Sequence, residues 1–368
     1  MTNRRSFLMG SVTVLGCGPR RARAFPGYAF VTNGGGNSVA AVDLRRFAVA
    51  RQIRLDAAPS AVAADAERHR IYALTPAKAT VYGIDVASLE VKRKLSLGGT
   101  AVSMRMTPDG SSLWVLCRSP HVLARVALDR LETLARVALP GAPEGFDISP
   151  DGSLAAVSFL ETQSVGVIDL AKAAISGVAA AGPDPGSVLF RSDGRQIVVG
   201  NRFERLLTVL DAKSGAALVR LRLPVQPENF SVKADGGEIY ITGKGMDAVV
   251  IVDPYHTQVT ETVLAGKAPG AIAISAEPEY LFAANPESGD VTVIDVETRN
   301  VLAAVKVGED PCYIAFTPDN QYALVVNHRS GDLAIIRMPI RQNRSKMAPL
   351  FTLIPVGSGP LSAAAVAG

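Results

Sequence analysis

Phe30-Val31-Thr32-Asn33 and Phe282-Ala283-Ala284-Asn285 lie 252 residues apart, which is six times 42. Segments in the same phase begin at Tyr72, Trp114, Ala156, Val198, Tyr240 and Leu324. Eight units of 42 residues therefore run through the chain and leave only a short leader outside the array. A period of this length, built from short strands, is the mark of radial repetition, in which each unit buries its apolar faces against its neighbours.

Stacking the units gives columns with a physical reading. Glu67, Asp109, Asp151, Asp193, Asp235, Glu277 and Asp319 form one, often followed by Gly or Asn. A short acid caps a tight reversal there, and the next residue tolerates positive φ. Eight residues upstream stand Pro59, Pro143, Pro185, Pro227, Pro269 and Pro311, with Ala101 the exception. Proline suits the first residue of a strand, because its missing N–H falls before the ladder begins. Asp43, Asp85, Asp169, Asp211, Asp253 and Asp295 form a third column, each closing an apolar run such as Val291-Thr292-Val293-Ile294.

Each unit holds four strand-sized runs, for example Tyr313–Thr317, Ala323–Asn327 and Asp332–Arg337, with Val301–Val307 one unit earlier. They are rich in β-branched residues and lack any long 3.6-residue periodicity. Four antiparallel strands per unit make a propeller blade, so the expected fold is all-β: a β-propeller of eight four-stranded blades, with seven as the alternative. The ring is expected to close on itself. Val356-Gly357-Ser358-Gly359-Pro360 repeats Val307-Gly308-Glu309-Asp310-Pro311, so a last innermost strand near Leu361–Val366 should pair with the N-terminal blade. Closure removes free edges that otherwise template aggregation.

The Phe-Val-Thr-Asn segment, the Val-x-Val-Ile-Asp run, the Val-Gly-x-x-Pro step and the Ser149–Gly152 turn together resemble the YVTN-type β-propeller repeat family, and lactonase-type propellers more distantly. The resemblance covers about residues 28 to 367. It implies a secreted or surface propeller and transfers no catalytic residue to this chain.

Residues 1–24 read as a targeting segment and 25–368 as one propeller domain. Asn3-Arg4-Arg5-Ser6-Phe7-Leu8 resembles the twin-arginine export motif and is followed by an apolar stretch. Ala22-Arg23-Ala24 offers a small-x-small cleavage site, whereas Val14-Leu15-Gly16-Cys17 resembles a lipobox that would place a lipid on Cys17. The expected location is the periplasm or cell surface, soluble or held by that lipid. The leader carries five arginines and no acid, so its removal takes the net charge from +4 to −1. A nucleic-acid partner then loses its compositional support. No apolar run reaches the roughly 18 residues of a membrane span. Cys117 and Cys312 fall in distant units and are expected to be free thiols. A monomer without cofactor is expected.

Propeller ligands bind at the channel mouth, where one blade's outermost strand returns to the next innermost strand and where second strands turn into third ones. Projection onto that face selects Arg118, Arg202, His328 and Arg329 from one connector and Glu144, Glu228, Asn229 and Tyr313 from the other. Glu144 and Glu228 follow prolines in matching motifs and are the nearest approach to a paired-carboxylate site. No spacing suits a metal site, covalent haem, a nucleophile elbow or a phosphate loop. Two functions are expected from this pattern. One is a scaffold binding a protein, glycan or small molecule at the mouth. The other is a lactonase-like hydrolase or quinone/redox propeller enzyme, which requires Glu144, Glu228, Arg118, Arg202 and His328 to converge within about 10 Å of the axis. The final unit runs seven residues over 42, around the basic segment Arg341–Lys346, expected on the face opposite the mouth.

Overall fold

The computed structural model describes residues 25–277, 279–338 and 349–368. The leader, with Cys17, and the basic segment at 341–346 lie outside the described residues.

The described residues form eight four-stranded antiparallel sheets. Blade 1 combines the C-terminal strand Pro360–Ala367 with Gly27–Asn33, Ser38–Asp43 and Ala48–Arg54. Blades 2 to 8 follow in chain order at 61–96, 100–138, 143–180, 185–222, 226–264, 272–306 and 311–355. Each innermost strand packs against the next, and Pro360–Ala367 lies between Pro311–Phe316 and Ala61–Asp65, so the ring closes with eight members and not seven. In the closing blade Tyr28 pairs with Val366, Phe30 with Ala364 and Thr32 with Ser362. Thr32 Oγ1 and Ser362 Oγ lie 3.0 Å apart, which adds a side-chain link to that seam.

The core is a ring of layers between blades. Along Gly27–Asn33, Val31 packs toward Tyr322 and Leu324 of blade 8, while Phe30 packs toward Ile71 and Tyr82 of blade 2. Successive side chains leave opposite faces of a strand. Both faces of a blade are covered, so the middle strands are apolar at nearly every residue and not at alternate ones. Ser38–Asp43 and Tyr280–Asn285 are accordingly buried throughout.

The acidic columns do what their spacing implies. Asp109, Asp151 and Asp235 accept the backbone N–H two residues on, at 3.0, 3.0 and 2.8 Å. Gly110, Gly152 and Gly236 supply the positive φ those reversals need. Asp85, Asp169, Asp211 and Asp295 accept the N–H three residues on and cap the turns into the outermost strands. Both turn families lie on the face away from the mouth.

The proline column does more than start strands. The pairing register slips directly after Pro143, Pro227 and Pro311. Glu144, Glu228 and Cys312 are the extra residues, lifted off the ladder where the strand enters the mouth. A bulge re-aims one side chain in this way.

Candidate functional site: the channel mouth

The mouth rests on a repeated clasp. Asn201 ends the second strand of blade 5 and is fully buried. Its Nδ2 donates to Ala181 O at 3.0 Å and Pro183 O at 2.7 Å, and its Oδ1 accepts from Thr208 at 2.7 Å. Asn33 likewise donates to Val356 O at 2.8 Å. Asn201 and Asn33 pin the connectors entering their own blades, whereas Asn285 bonds to Asp290 and Thr292 and Asn327 to Asp332 within theirs. The glycine of the Val-Gly-x-x-Pro step makes room for the asparagine. A Cβ on Gly308 would stand 2.6 Å from Asn327 Nδ2, and one on Gly266 would stand 2.7 Å from Asn285 Cγ.

Upon this frame the charged side chains pair off. Arg118 of blade 3 reaches Glu144 of blade 4 at 3.1 Å. Within blade 6, Lys244 meets Glu228 at 3.3 Å. Arg202 meets the buried Asp184 at 3.4 Å. Glu144 and Glu228 stand two blades apart, each beside its own base. Asn229 sits half-buried on the innermost strand of blade 6, opposite Thr242. Arg329 is exposed, and its backbone N–H donates to Glu309 O at 3.2 Å.

His328 is oriented differently. Its Nδ1 lies 3.0 Å from Pro360 O, which accepts the proton on Nδ1, and Nε2 makes no hydrogen bond among the described residues. Cys312 approaches the same carbonyl, with Sγ at 3.7 Å. Burial, with the charge of Asp310 second, pushes the Cys312 thiol up to about 12, so it stands as a neutral thiol. Cys117 is buried in blade 3, and both cysteines are free.

Tyr313 stands on the innermost strand of blade 8. Burial raises its phenol and the charge of Arg105 draws it back down. Arg105 belongs to the innermost strand of blade 3 and Tyr313 to that of blade 8. Arg105 donates from Nε to Phe146 O at 2.9 Å and lies 3.5 Å from Asp147. Sequence projection missed Arg105 because only the connectors were projected. The signal was there: at 42-residue intervals its column reads Ala63, Arg105, Asp147, Leu189, Ser231, Ala273, Ala315. One long cation stands among mostly small residues.

A recess of about 740 Å³ opens on the mouth face between blades 6 and 7. Glu228, Lys244, Met246, Asp247, Pro269 and Glu287 line it, with Gly243, Gly245 and Gly270 keeping the walls low. Its size lies within the range of small-molecule sites. Asp247 Oδ1 accepts Ala268 N–H at 2.9 Å and ties the two walls together. Among the described residues no three of His, Cys, Asp and Glu gather as a metal-binding group.

The family described as "Lactonase, 7-bladed beta-propeller" matches residues 252–362, a stretch covering blades 7 and 8 and the start of the closing strand. No curated protein matches the sequence. Among solved structures, dihydro-heme d1 dehydrogenase NirN in complex with DHE is similar with a TM-score of 0.77 and 16% identity, over 96% of this chain and 78% of that one. Hydrazine synthase of Kuenenia stuttgartiensis gives 0.57 and 17%, over 89% and 99%. A functionally unknown protein from Desulfotomaculum acetoxidans gives 0.60 and 13%, over 90% and 98%. At these identities the likeness is one of fold.

Proposed function

We propose that this chain is an exported, YVTN-like β-propeller that acts as a binding scaffold, holding a protein, glycan or small-molecule ligand at its mouth. The observation carrying this reading is the pairing of the mouth charges. Arg118, Lys244 and Arg202 each neutralise a carboxylate beside them. A general acid–base pair instead needs two titrating groups aimed at one point. The recess between blades 6 and 7 is the principal ligand site, with apolar walls at Met246, Pro269 and Pro286 and polar groups at its edge. That a solved structure of similar fold is described in complex with DHE supports this use of the ring. Export to the periplasm or cell surface rests on the twin-arginine-like leader, with Cys17 as the candidate anchor.

His328 favours a second reading, a lactonase-like or redox enzyme. Its Nδ1 is fixed and its Nε2 is free, the arrangement of a base or ligand ready to act.

Thermal-shift screening of a metabolite and oligosaccharide panel separates the recess from the rest of the mouth. Ligands that stabilise the wild type and leave Met246→Trp unmoved, at equal intrinsic melting temperature, place binding in the recess. Ligands that stabilise both proteins equally refute that location.

A further inference from the structure

Charge is divided unevenly around the ring. Residues 25–140, blades 1 to 3, hold 15 Lys and Arg against 9 Asp and Glu. Residues 226–338, blade 6 through most of blade 8, hold 7 against 16. The near-neutral total thus hides a strongly dipolar molecule. Such a field turns the basic side toward an anionic surface before contact.

The basic side has a focus. Ala48–Arg54, the outermost strand of blade 1, exposes Arg51 and Arg54 and carries no acid. Glu90–Ser96, its counterpart in blade 2, exposes Lys92, Arg93 and Lys94, of which Lys92 pairs with Glu90 and Lys94 with Asp56. Arg51 spans the gap, reaching Ser88 O at 3.2 Å and Glu90 at 3.4 Å, so the two strands form one surface. Arg54 has no ion-pair partner among the described residues, and Arg93 donates only to the backbone oxygen of Arg130.

On the other side of blade 1 the surface turns apolar. Leu350–Pro355, the outermost strand of blade 8, has no charged residue, and Leu350, Phe351 and Leu353 are 36, 42 and 42% exposed. Phe351 packs on Phe47 of blade 1 at 4.6 Å between ring centroids, which joins this strand to the basic ones. Exposed apolar side chains are unremarkable singly, but three on one edge strand beside a row of cations form an amphipathic flank.

We propose that the flank formed by the outermost strands of blades 8, 1 and 2 docks on the surface of an anionic phospholipid bilayer. Leu350, Phe351 and Leu353 enter the boundary of headgroups and acyl chains, while the long Arg and Lys side chains stay with the phosphates. The aliphatic component favours a bilayer over an acidic protein, since charge pairing alone makes no use of three neighbouring apolar side chains. The contact is peripheral, and among the described residues no helix is long and apolar enough to cross a membrane. It leaves the channel axis and the mouth free.

Co-sedimentation with vesicles tests this. The purified protein should pellet with phosphatidylglycerol–phosphatidylethanolamine vesicles and stay in solution with phosphatidylcholine vesicles. Arg54→Glu/Arg93→Glu should weaken binding about tenfold or more, and so should raising the salt from about 50 to about 500 mM. Leu350→Ser/Leu353→Ser should weaken it at low salt as well. Met246→Trp at the mouth should bind vesicles like the wild type, whatever that variant does to ligands. Absence of binding to anionic vesicles refutes the proposal. So does binding that survives the double charge reversal, or capture by heparin beads without vesicle binding, with melting temperatures unchanged.

Discussion

Asn201 shows how much one buried polar side chain decides at the mouth. It makes three hydrogen bonds with no exposed surface, so truncation leaves two carbonyls and a hydroxyl to find water in a closed space. Asn201→Ala is expected to cost about 1–3 kcal/mol by urea unfolding. Gly308→Ala should cost about as much by forcing a Cβ against Asn327. If both unfold at the wild-type midpoint, the clasp contributes nothing. These asparagines were legible in sequence as turn formers, but not as partners of the glycines, because the two columns meet only when a connector folds back on the end of a second strand, from as far away in sequence as Gly357 beside Asn33. The ion pairs were equally hidden. Glu144 and Glu228 occupy identical motif positions, yet one finds Arg118 on a neighbouring blade and the other Lys244 on its own. Which base arrives depends on the local twist and on the residue each unit carries in the opposite connector.

The turns are the elements whose behaviour depends on pH. Hydrogen bonds hold the carboxyls of Asp109, Asp151 and Asp235 below the ordinary carboxylate range, led by the side chains of Thr107, Ser149 and Lys233 respectively. The caps at Asp85, Asp169 and Asp211 are lowered chiefly by the backbone N–H groups of Ser88, Lys172 and Ser214. A carboxyl with a depressed folded pKa contributes stability above its unfolded value and loses it as pH falls through the folded one. Melting temperature should therefore be flat above about pH 5 and fall steadily below about pH 4. Asp109→Asn/Asp151→Asn should shallow that decline. A melting temperature constant down to about pH 2 contradicts the capping role. These turns were the most readable part of the sequence, since capping chemistry is local and recurs in phase. The bulges after Pro143, Pro227 and Pro311 were not readable, because a slip in pairing involves the partner strand.

At the scale of the whole ring, the repeat gave the class and almost the count. It left seven or eight blades open because two units depart from the pattern, one with Ala101 in place of the proline and the last running seven residues long. Only the packing of Pro360–Ala367 between blades 8 and 2 settles that number. The closed ring frames a mouth that, on the proposed function, binds a ligand without transforming it. The direct test is a mass-spectrometric inventory of a metabolite, lactone and quinol panel after long incubation with the purified protein. The scaffold reading predicts that ligands identified by thermal shift return chemically unchanged. A product that accumulates with the wild type and is abolished by His328→Ala, with folding intact, would contradict it and make the mouth an active site.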